Sequence, residues 1–199
     1  MINFHYINQP PKRYTFEQPK LKQLVESYCA GKTLNLFAGR VRLNIDEIRV
    51  DMDATTEPDF LMDAYEFVST WKGSKFQTVI LDPPYNIRKA REKYEGRYIG
   101  KFKKIKEHIP FILNPGGRVI TLGYDSVGMV RGRGFKKEVI ILVCHNGDHN
   151  DTICVIERFV QPSLFDSAYN VPNNKSIELT GESRDNPHGT EFNENWDKL

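Results

Sequence analysis

Gln77-Thr78-Val79-Ile80-Leu81-Asp82-Pro83-Pro84-Tyr85-Asn86 decides how this chain reads. Residues 77–82 are a short run, apolar at its centre and stopped at once by two prolines. That pattern reads as a buried strand ending on a carboxylate. On the amino side, Thr33-Leu34-Asn35-Leu36-Phe37 is a strand running into the turn Ala38-Gly39. Glu47-Ile48-Arg49-Val50-Asp51 and Asp59-Phe60-Leu61-Met62-Asp63 are two more short runs, each ending in Asp, and residues 64–71 read as a helix. On the carboxyl side, Ile105, Ile109, Ile112 and Leu113 give residues 102–113 helical spacing, which Asn114-Pro115-Gly116-Gly117 ends. Residues 118–122 are the next strand, and 137–144 and 152–159 form a long hairpin around His145-Asn146-Gly147-Asp148-His149-Asn150. Strands separated by helices predict a mostly parallel α/β sheet, here finished by an antiparallel pair. Ligands in such sheets sit at the carboxyl ends of the strands, where Gly39, Asp51, Asp63 and Asp82 fall.

The 199 residues suit one domain with a tail, the boundary falling between 1–160 and 161–199. The tail is rich in Asn, Ser, Pro, Gly and Glu, and from Asn170 on it holds few large apolar residues. Burial there does not offset the roughly 1–2 kcal/mol per residue lost on ordering, which predicts a flexible acidic segment. The longest apolar run, Val139 to Cys144, is far short of the roughly 20 residues of a membrane helix. Met1-Ile2-Asn3-Phe4-His5-Tyr6 lacks the pattern of a secretion signal. Cys29, Cys144 and Cys154 stand far apart, which argues against a disulfide framework or zinc cluster and for a reducing cytoplasm. The net charge of +2 hides an uneven distribution. Between Asn86 and His108 nine basic residues face three acids, whereas from Val160 onward seven acids face three bases.

From average residue usage, Asp-Pro-Pro-Tyr is expected by chance in about one chain of this length in a thousand. Asp82-Pro83-Pro84-Tyr85 resembles the signature of the class I S-adenosylmethionine-dependent amino-methyltransferases, above all the DNA adenine-N6 group, which carries it at the end of the fourth strand. The resemblance implies a Rossmann-like seven-stranded mostly parallel sheet with a C-terminal antiparallel hairpin. It also implies S-adenosylmethionine as cofactor and methyl transfer to an exocyclic amino group, N6 of adenine in DNA. Physical chemistry supports the motif's use. An exocyclic amino nitrogen is a poor nucleophile because its lone pair is delocalised into the ring. Hydrogen bonds from both its N–H groups, to the Asp82 carboxylate and the Pro83 carbonyl, favour a pyramidal nitrogen. The prolines fix both acceptors in advance. Tyr85 offers a face for stacking on a base flipped out of its duplex. A rigid Pro-Pro turn with a surface tyrosine is the competing structural reading.

Leu34-Asn35-Leu36-Phe37-Ala38-Gly39-Arg40 resembles the family's first motif, an acid followed by x-F-x-G-x-G. Asn35 stands where the family has an acid, and Val41 where a second Gly is expected. The resemblance assigns Asn35, Phe37, Ala38 and Gly39 to the cofactor. It assigns Asp51, with the adjacent Met52, to the ribose side, and Asp63 to the adenine; Asp82 borders the same pocket. Asp53 competes with Asp51, and each Asp also reads as a helix N-cap. Pro19-Lys20-Leu21 is a weak match to the family's cofactor-covering segment.

The basic stretch after the motif lies where a target strand would run. Asn86, Arg88, Lys89, Arg91, Arg97 and Lys101 are the expected nucleic-acid contacts. Tyr94, Tyr98 and Phe102 either stack or pack. Arg131 and Arg133, with Lys136 and Lys137, make a second patch expected on the same edge. A solvated charged face is the ordinary explanation of such runs. His145 and His149 lack the neighbours of a metal site, and no metal is expected. Gln161-Pro162-Ser163-Leu164-Phe165 resembles the short peptide by which bacterial proteins dock on the sliding clamp; a Leu-Phe pair packed on the domain is the plainer reading.

Rival functions are methylation of cytosine N4, of guanine N2 in structured RNA, or of a glutamine side chain. In the family these acceptors go with Ser or Asn at position 82, which tilts Asp82 toward adenine. A small-molecule methyltransferase and a non-catalytic nucleic-acid adaptor on the same fold are further rivals. A C5-cytosine enzyme is disfavoured, because no Pro-Cys dipeptide supplies a nucleophile. The expected location is cytoplasmic, at the nucleoid where DNA is the substrate.

Overall fold

The computed structural model describes residues 1–83, 101–124, 128–129, 133–147 and 150–160. All belong to the first of two units into which the chain divides, Met1–Phe165. Pro84, Tyr85, Asn86, Arg88, Lys89, Arg91, Arg97, Arg131, His149, the clamp-like pentapeptide and the acidic tail lie outside the described residues.

In chain order the elements are β1 (Asn3–Asn8), α1 (Pro19–Tyr28), β2 (Thr33–Leu36), β3 (Glu47–Asp51), β4 (Phe60–Leu61), α2 (Ala64–Thr70), β5 (Phe76–Leu81), α3 (Lys101–Ile112), β6 (Leu113–Gly123), β7 (Phe135–Cys144) and β8 (Thr152–Phe159). The strands form one sheet in the order β1-β7-β8-β6-β5-β2-β3-β4. Every pairing is parallel except those of β8, which runs against β6 and β7.

Alternation along each strand divides the core into two. Leu34, Leu36, Val50, Val79, Leu81 and Val119 face α2 and α3, which bury Phe67, Val68, Ile105 and Ile109 against them. Ile80, Ile120, Leu122, Val139, Ile141, Val143 and Ile156 share the other cluster with Leu21 and Val25 of α1. Pro19 opens α1 at a position where a missing N–H costs nothing. Each fully buried aliphatic side chain contributes roughly 1.5–3 kcal/mol. No helix among the described residues is long and apolar enough to cross a membrane.

Two expectations are corrected. The sheet has eight strands rather than seven, because β1 adds to the outer edge of β7, with Asn3 opposite Val139 and Asn8 opposite Cys144. Asn114-Pro115-Gly116-Gly117 does not separate helix from strand. β6 starts at Leu113 and absorbs these residues as an irregularity, its partner on β5 advancing only from Phe76 to Thr78 while β6 advances from Leu113 to Arg118. The loop histidine that the structure describes is a structural group. His145 is buried, its Nδ1–H donating to the Gln9 carbonyl (2.9 Å) while Nε2 accepts from the Thr152 hydroxyl (3.1 Å).

Glu157 on β8 is a buried carboxylate that receives the backbone N–H of Met129. A Cβ at Gly128, whose φ is +134°, would meet its Oε2 at 2.7 Å, so glycine admits this contact. Burial raises the Glu157 carboxyl above the usual range; Met129 N–H, Lys137 and Lys106 oppose the shift. A raised folded-state value favours the protonated form, so its stabilising contribution is present at low pH and is lost as pH rises through that value. Glu157→Gln therefore unfolds close to wild type at about pH 4 and above it at pH 7–8, by a few degrees at roughly 2–4 °C per kcal/mol. Thermal melts across pH check this, and parallel pH profiles for the two proteins would contradict it.

Candidate functional site

β2 pairs with β3 on one side and with β5 on the other, so the strand order reverses between β2 and β5. Such a reversal opens a crevice at the carboxyl ends of the strands. Gly39, Asp51, Asp63 and Asp82 stand just past or at the ends of β2, β3, β4 and β5, four neighbouring strands. The alternation read from the sequence thus brings these residues to one edge of the sheet.

The turn after β2 is held by its own backbone. The N–H groups of Phe37 and Ala38 both donate to the Val50 carbonyl, at 3.0 and 3.2 Å. Phe37 adopts φ +62° and Gly39 φ +60°. A left-handed non-glycine residue stores strain and persists only where its surroundings impose it. Here Phe37 and Ala38 are buried in the floor of the turn.

Asp51 is 4% exposed. Its Oδ2 accepts the Gly39 N–H at 2.9 Å and its Oδ1 accepts the Asp53 N–H at 3.0 Å. Each oxygen has a second lone pair, so a carboxylate fixed in this way can still receive ligand hydroxyls. Asp53 is used otherwise: it caps a 3-10 turn through the Thr55 N–H and hydroxyl, at 2.9 and 2.7 Å. Met52, between them, is half-buried. Asp63 caps α2, its Oδ1 accepting from the N–H groups of Tyr65 and Glu66.

Asp82 is half-buried and Pro83 buried at the end of β5. The Asp82 N–H points to the Leu36 carbonyl at 3.5 Å, which sets this strand end next to the strained turn. On its other side Cys154 is fully buried; burial pushes that thiol up and Asp82 pushes it further. Burial likewise raises Cys29, to about 12. Both are held as thiols, which suits packing rather than nucleophilic attack.

Asn35 is fully buried, and its Nδ2–H donates to Glu47 Oε2 at 2.9 Å, while its Oδ1 has no hydrogen-bond partner. An Asp at position 35 would set a second carboxylate against Glu47. The acid here belongs to the neighbouring strand.

Two groups at the crevice carried no clear sequence signal. Tyr14 lies over the turn, its Cδ1 3.2 Å from where a Gly39 Cβ would be. Pro19, Lys20 and Leu21 open α1, with Leu21 fully buried in the core. Arg49 is the largest fully buried side chain among the described residues and bonds to the Gly39 carbonyl of the turn. Its only sequence signal is a cation inside an apolar run.

The basic residues divide. α3 descends from the Asp82 end of the sheet to the start of β6, so exposed Lys103 and Lys104, near its amino end, lie toward the crevice. Lys101 begins the same helix. Lys106 is turned to structure, donating to the Gly128 carbonyl at 3.1 Å over the ring of Phe102. Arg133, Lys136 and Lys137 are not on the edge expected for them. β6 and β7 are parallel to β5, so β6 ends at the Asp82 end of the sheet and β7 begins at the opposite end. Lys136 faces Arg158, whereas the level of Asp82 corresponds to Cys154, four residues or roughly 13 Å away along β8. Arg133 instead lies 3.7 Å from Glu107. Among the described residues no group of three or more His, Cys, Asp or Glu is placed to hold a metal.

No family model and no curated protein matches the chain. Solved structures do. TrmN from Thermus thermophilus superposes with a TM-score of 0.51 at 17% identity, over 72% of this chain and 49% of that one. The present chain therefore spans about half the length of TrmN. The Escherichia coli protein yhhF, classed as a methyltransferase, gives 0.52 at 11% identity over 77% and 91%. SMU.776, also classed as a methyltransferase and solved with S-adenosylhomocysteine, gives 0.52 at 14% over 73% and 50%. At these identities the likeness is one of fold: the chain has the mixed α/β fold of these methyltransferases.

Proposed function

We propose that the chain is an S-adenosylmethionine-dependent methyltransferase acting on an exocyclic amino group, N6 of adenine in DNA. The observation that carries this reading is Asp82-Pro83 at the end of β5, at the strand-order reversal and beside the Gly39 turn. The residues fit the cofactor. Gly39, left-handed, offers close approach to backbone, and Asp51 offers a carboxylate at the strand end where ribose hydroxyls are held in dinucleotide sites. The resemblance assigns Phe37, Ala38 and Met52 to that side and Asp63 to the adenine.

The cofactor supplies a methyl group on a sulfonium, ready for in-line transfer. Asp82 accepts one N–H of the target amino group and the Pro83 carbonyl accepts the other, which turns the nitrogen lone pair toward the crevice. The rigid loop keeps both acceptors from reorganising during the reaction. Holding nitrogen and methyl in line is the protein's principal contribution. Tyr85 stacks on the base. Arg88, Lys89, Arg91, Arg97 and Lys101 neutralise phosphates and Asn86 hydrogen-bonds to the target strand, with Lys103 and Lys104 continuing the positive charge along α3. Residues 1–160 are the catalytic domain and 161–199 an acidic extension, of which 161–165 offer a sliding-clamp contact in the cytoplasm.

Incubation with methyl-labelled cofactor and separate pools of DNA, RNA and protein, followed by nucleoside analysis, tests this. N6-methyl-2′-deoxyadenosine from DNA is the expected product. Label confined to RNA or protein would replace the acceptor, and absence of cofactor binding by calorimetry would favour a non-catalytic adaptor.

A further inference from the structure

A guanidinium is costly to bury, and Arg49 is 0% exposed in the middle of β3. The bonds that it makes run to the two loops flanking the crevice. Nη2 donates to the Gly39 carbonyl and to the Thr56 carbonyl (3.1 Å), and Nη1 donates to the Glu57 carbonyl (2.8 Å). Two residues along the same strand, Asp51 accepts the N–H of Gly39 and the N–H of Asp53. One face of β3 therefore joins the same two segments twice, through their carbonyls by a cation and through their amides by an anion. Gly39 is held from both of its peptide groups. Glu47 Oε1 lies 3.7 Å from the Arg49 Nε and accepts the Leu43 N–H, while Oε2 is bonded to Asn35. The backbone of Arg49 is itself held, its N–H donating to Asp59 at 2.8 Å.

We infer that Arg49 is a positioning residue for the cofactor: it fixes the spacing between the Gly39 turn and the 53–57 loop, so that Gly39 and Asp51 present a preformed cradle. Glu47 supplies its counter-charge and Asn35 orients Glu47. A packing role alone would be served by an aliphatic side chain without the desolvation cost. The three carbonyl bonds are what an aliphatic residue cannot replace. This inference rests on the cofactor reading above.

Wild type, Arg49→Met, Arg49→Lys and the core control Val25→Ala decide the matter. Binding of S-adenosylhomocysteine is measured by calorimetry, KM and kcat by methyl transfer, and backbone order by amide hydrogen exchange at 38–40 and 53–57. Arg49→Met should weaken binding and raise the cofactor KM by roughly tenfold to a hundredfold, with kcat at saturation within about threefold. Arg49→Lys, which keeps the charge and part of the donor set, should recover some of that loss. Exchange should quicken in both segments together, beyond the change in Val25→Ala. Should Arg49→Met not fold, Arg49→Lys carries the same comparison with a smaller shift. Wild-type affinity in both Arg49 variants, or exchange no faster than in Val25→Ala, overturns the inference while leaving the cofactor reading intact. A wild-type protein that binds no S-adenosylhomocysteine overturns the cofactor reading and this assignment with it, whatever the exchange shows.

Discussion

Asp82→Ala should lower methyl transfer by about a thousandfold or more while leaving S-adenosylhomocysteine affinity within a few-fold of wild type. The separation follows from position. Asp82 ends β5, beside Leu36 and the start of the turn, whereas the bonds that fix Asp51 and Gly39 run through β2 and β3 and do not involve it. The fold should tolerate the change, because the side chain is half-buried at a strand end rather than enclosed in the core. The chemistry should not. Removing a preorganised polar partner from a reacting centre typically costs 10²- to 10³-fold, and here the lost partner also orients the attacking lone pair. Asp82→Asn keeps one oxygen in place but exchanges the other for an N–H donor, so it should fall between alanine and wild type. Single-turnover rates and calorimetry on the same preparations give both readouts. Undiminished turnover in Asp82→Ala removes Asp82 from the mechanism; affinity lost in step with rate makes it a cofactor residue instead.

How far the sequence revealed this arrangement depends on the kind of force involved. β2, β3, β5 and α3 were legible because burial leaves a periodic trace: Leu34, Leu36, Val79 and Leu81 sit fully buried where the pattern put them. β1 was not. Phe4 and Tyr6 are about three-fifths exposed on an edge strand, and the partner β7 is more than a hundred residues away, so no local signal specifies the pairing. The second basic patch failed for a topological reason. Lys136 and Lys137 adjoin the hairpin in sequence, but the step from β6 to a parallel β7 must cross the sheet, which carries them away from Asp82. At the site, the acids at the strand ends were legible from strand length alone. The groups that hold them were not. Tyr14 meets Gly39 across 25 residues without any repeat to announce it, and nothing in the short run 47–51 announces that its cation is buried.

Gly39→Val should cost cofactor binding about a hundredfold or more, with a smaller loss for Gly39→Ala. Two separate effects act at this position. At φ +60° an L side chain meets the following carbonyl, at roughly 1–2 kcal/mol for a single residue, and a β-branched side chain fares worse. The new Cβ would also approach Tyr14 Cδ1 to 3.2 Å, a gap that closes only if the ring gives by a few tenths of an ångström. Relaxing φ at Gly39 turns the 38–39 and 39–40 peptides against each other, so the N–H bond to Asp51 on the first and the carbonyl bond to Arg49 on the second cannot both be kept. The cofactor cradle is lost with either. A Tyr14→Ala background separates the two effects. If the ring contact dominates, Tyr14→Ala restores most of the affinity of Gly39→Ala; if the left-handed backbone dominates, it restores little. Because the bonds to Asp51 and Arg49 both need the present peptide orientation, the backbone effect should prevail, and the double variant should bind no better than Gly39→Ala alone. Calorimetric titration of wild type, Gly39→Ala, Tyr14→Ala and the double variant decides between these outcomes, and wild-type affinity in Gly39→Val, titrated alongside, would remove the turn from the cofactor site altogether.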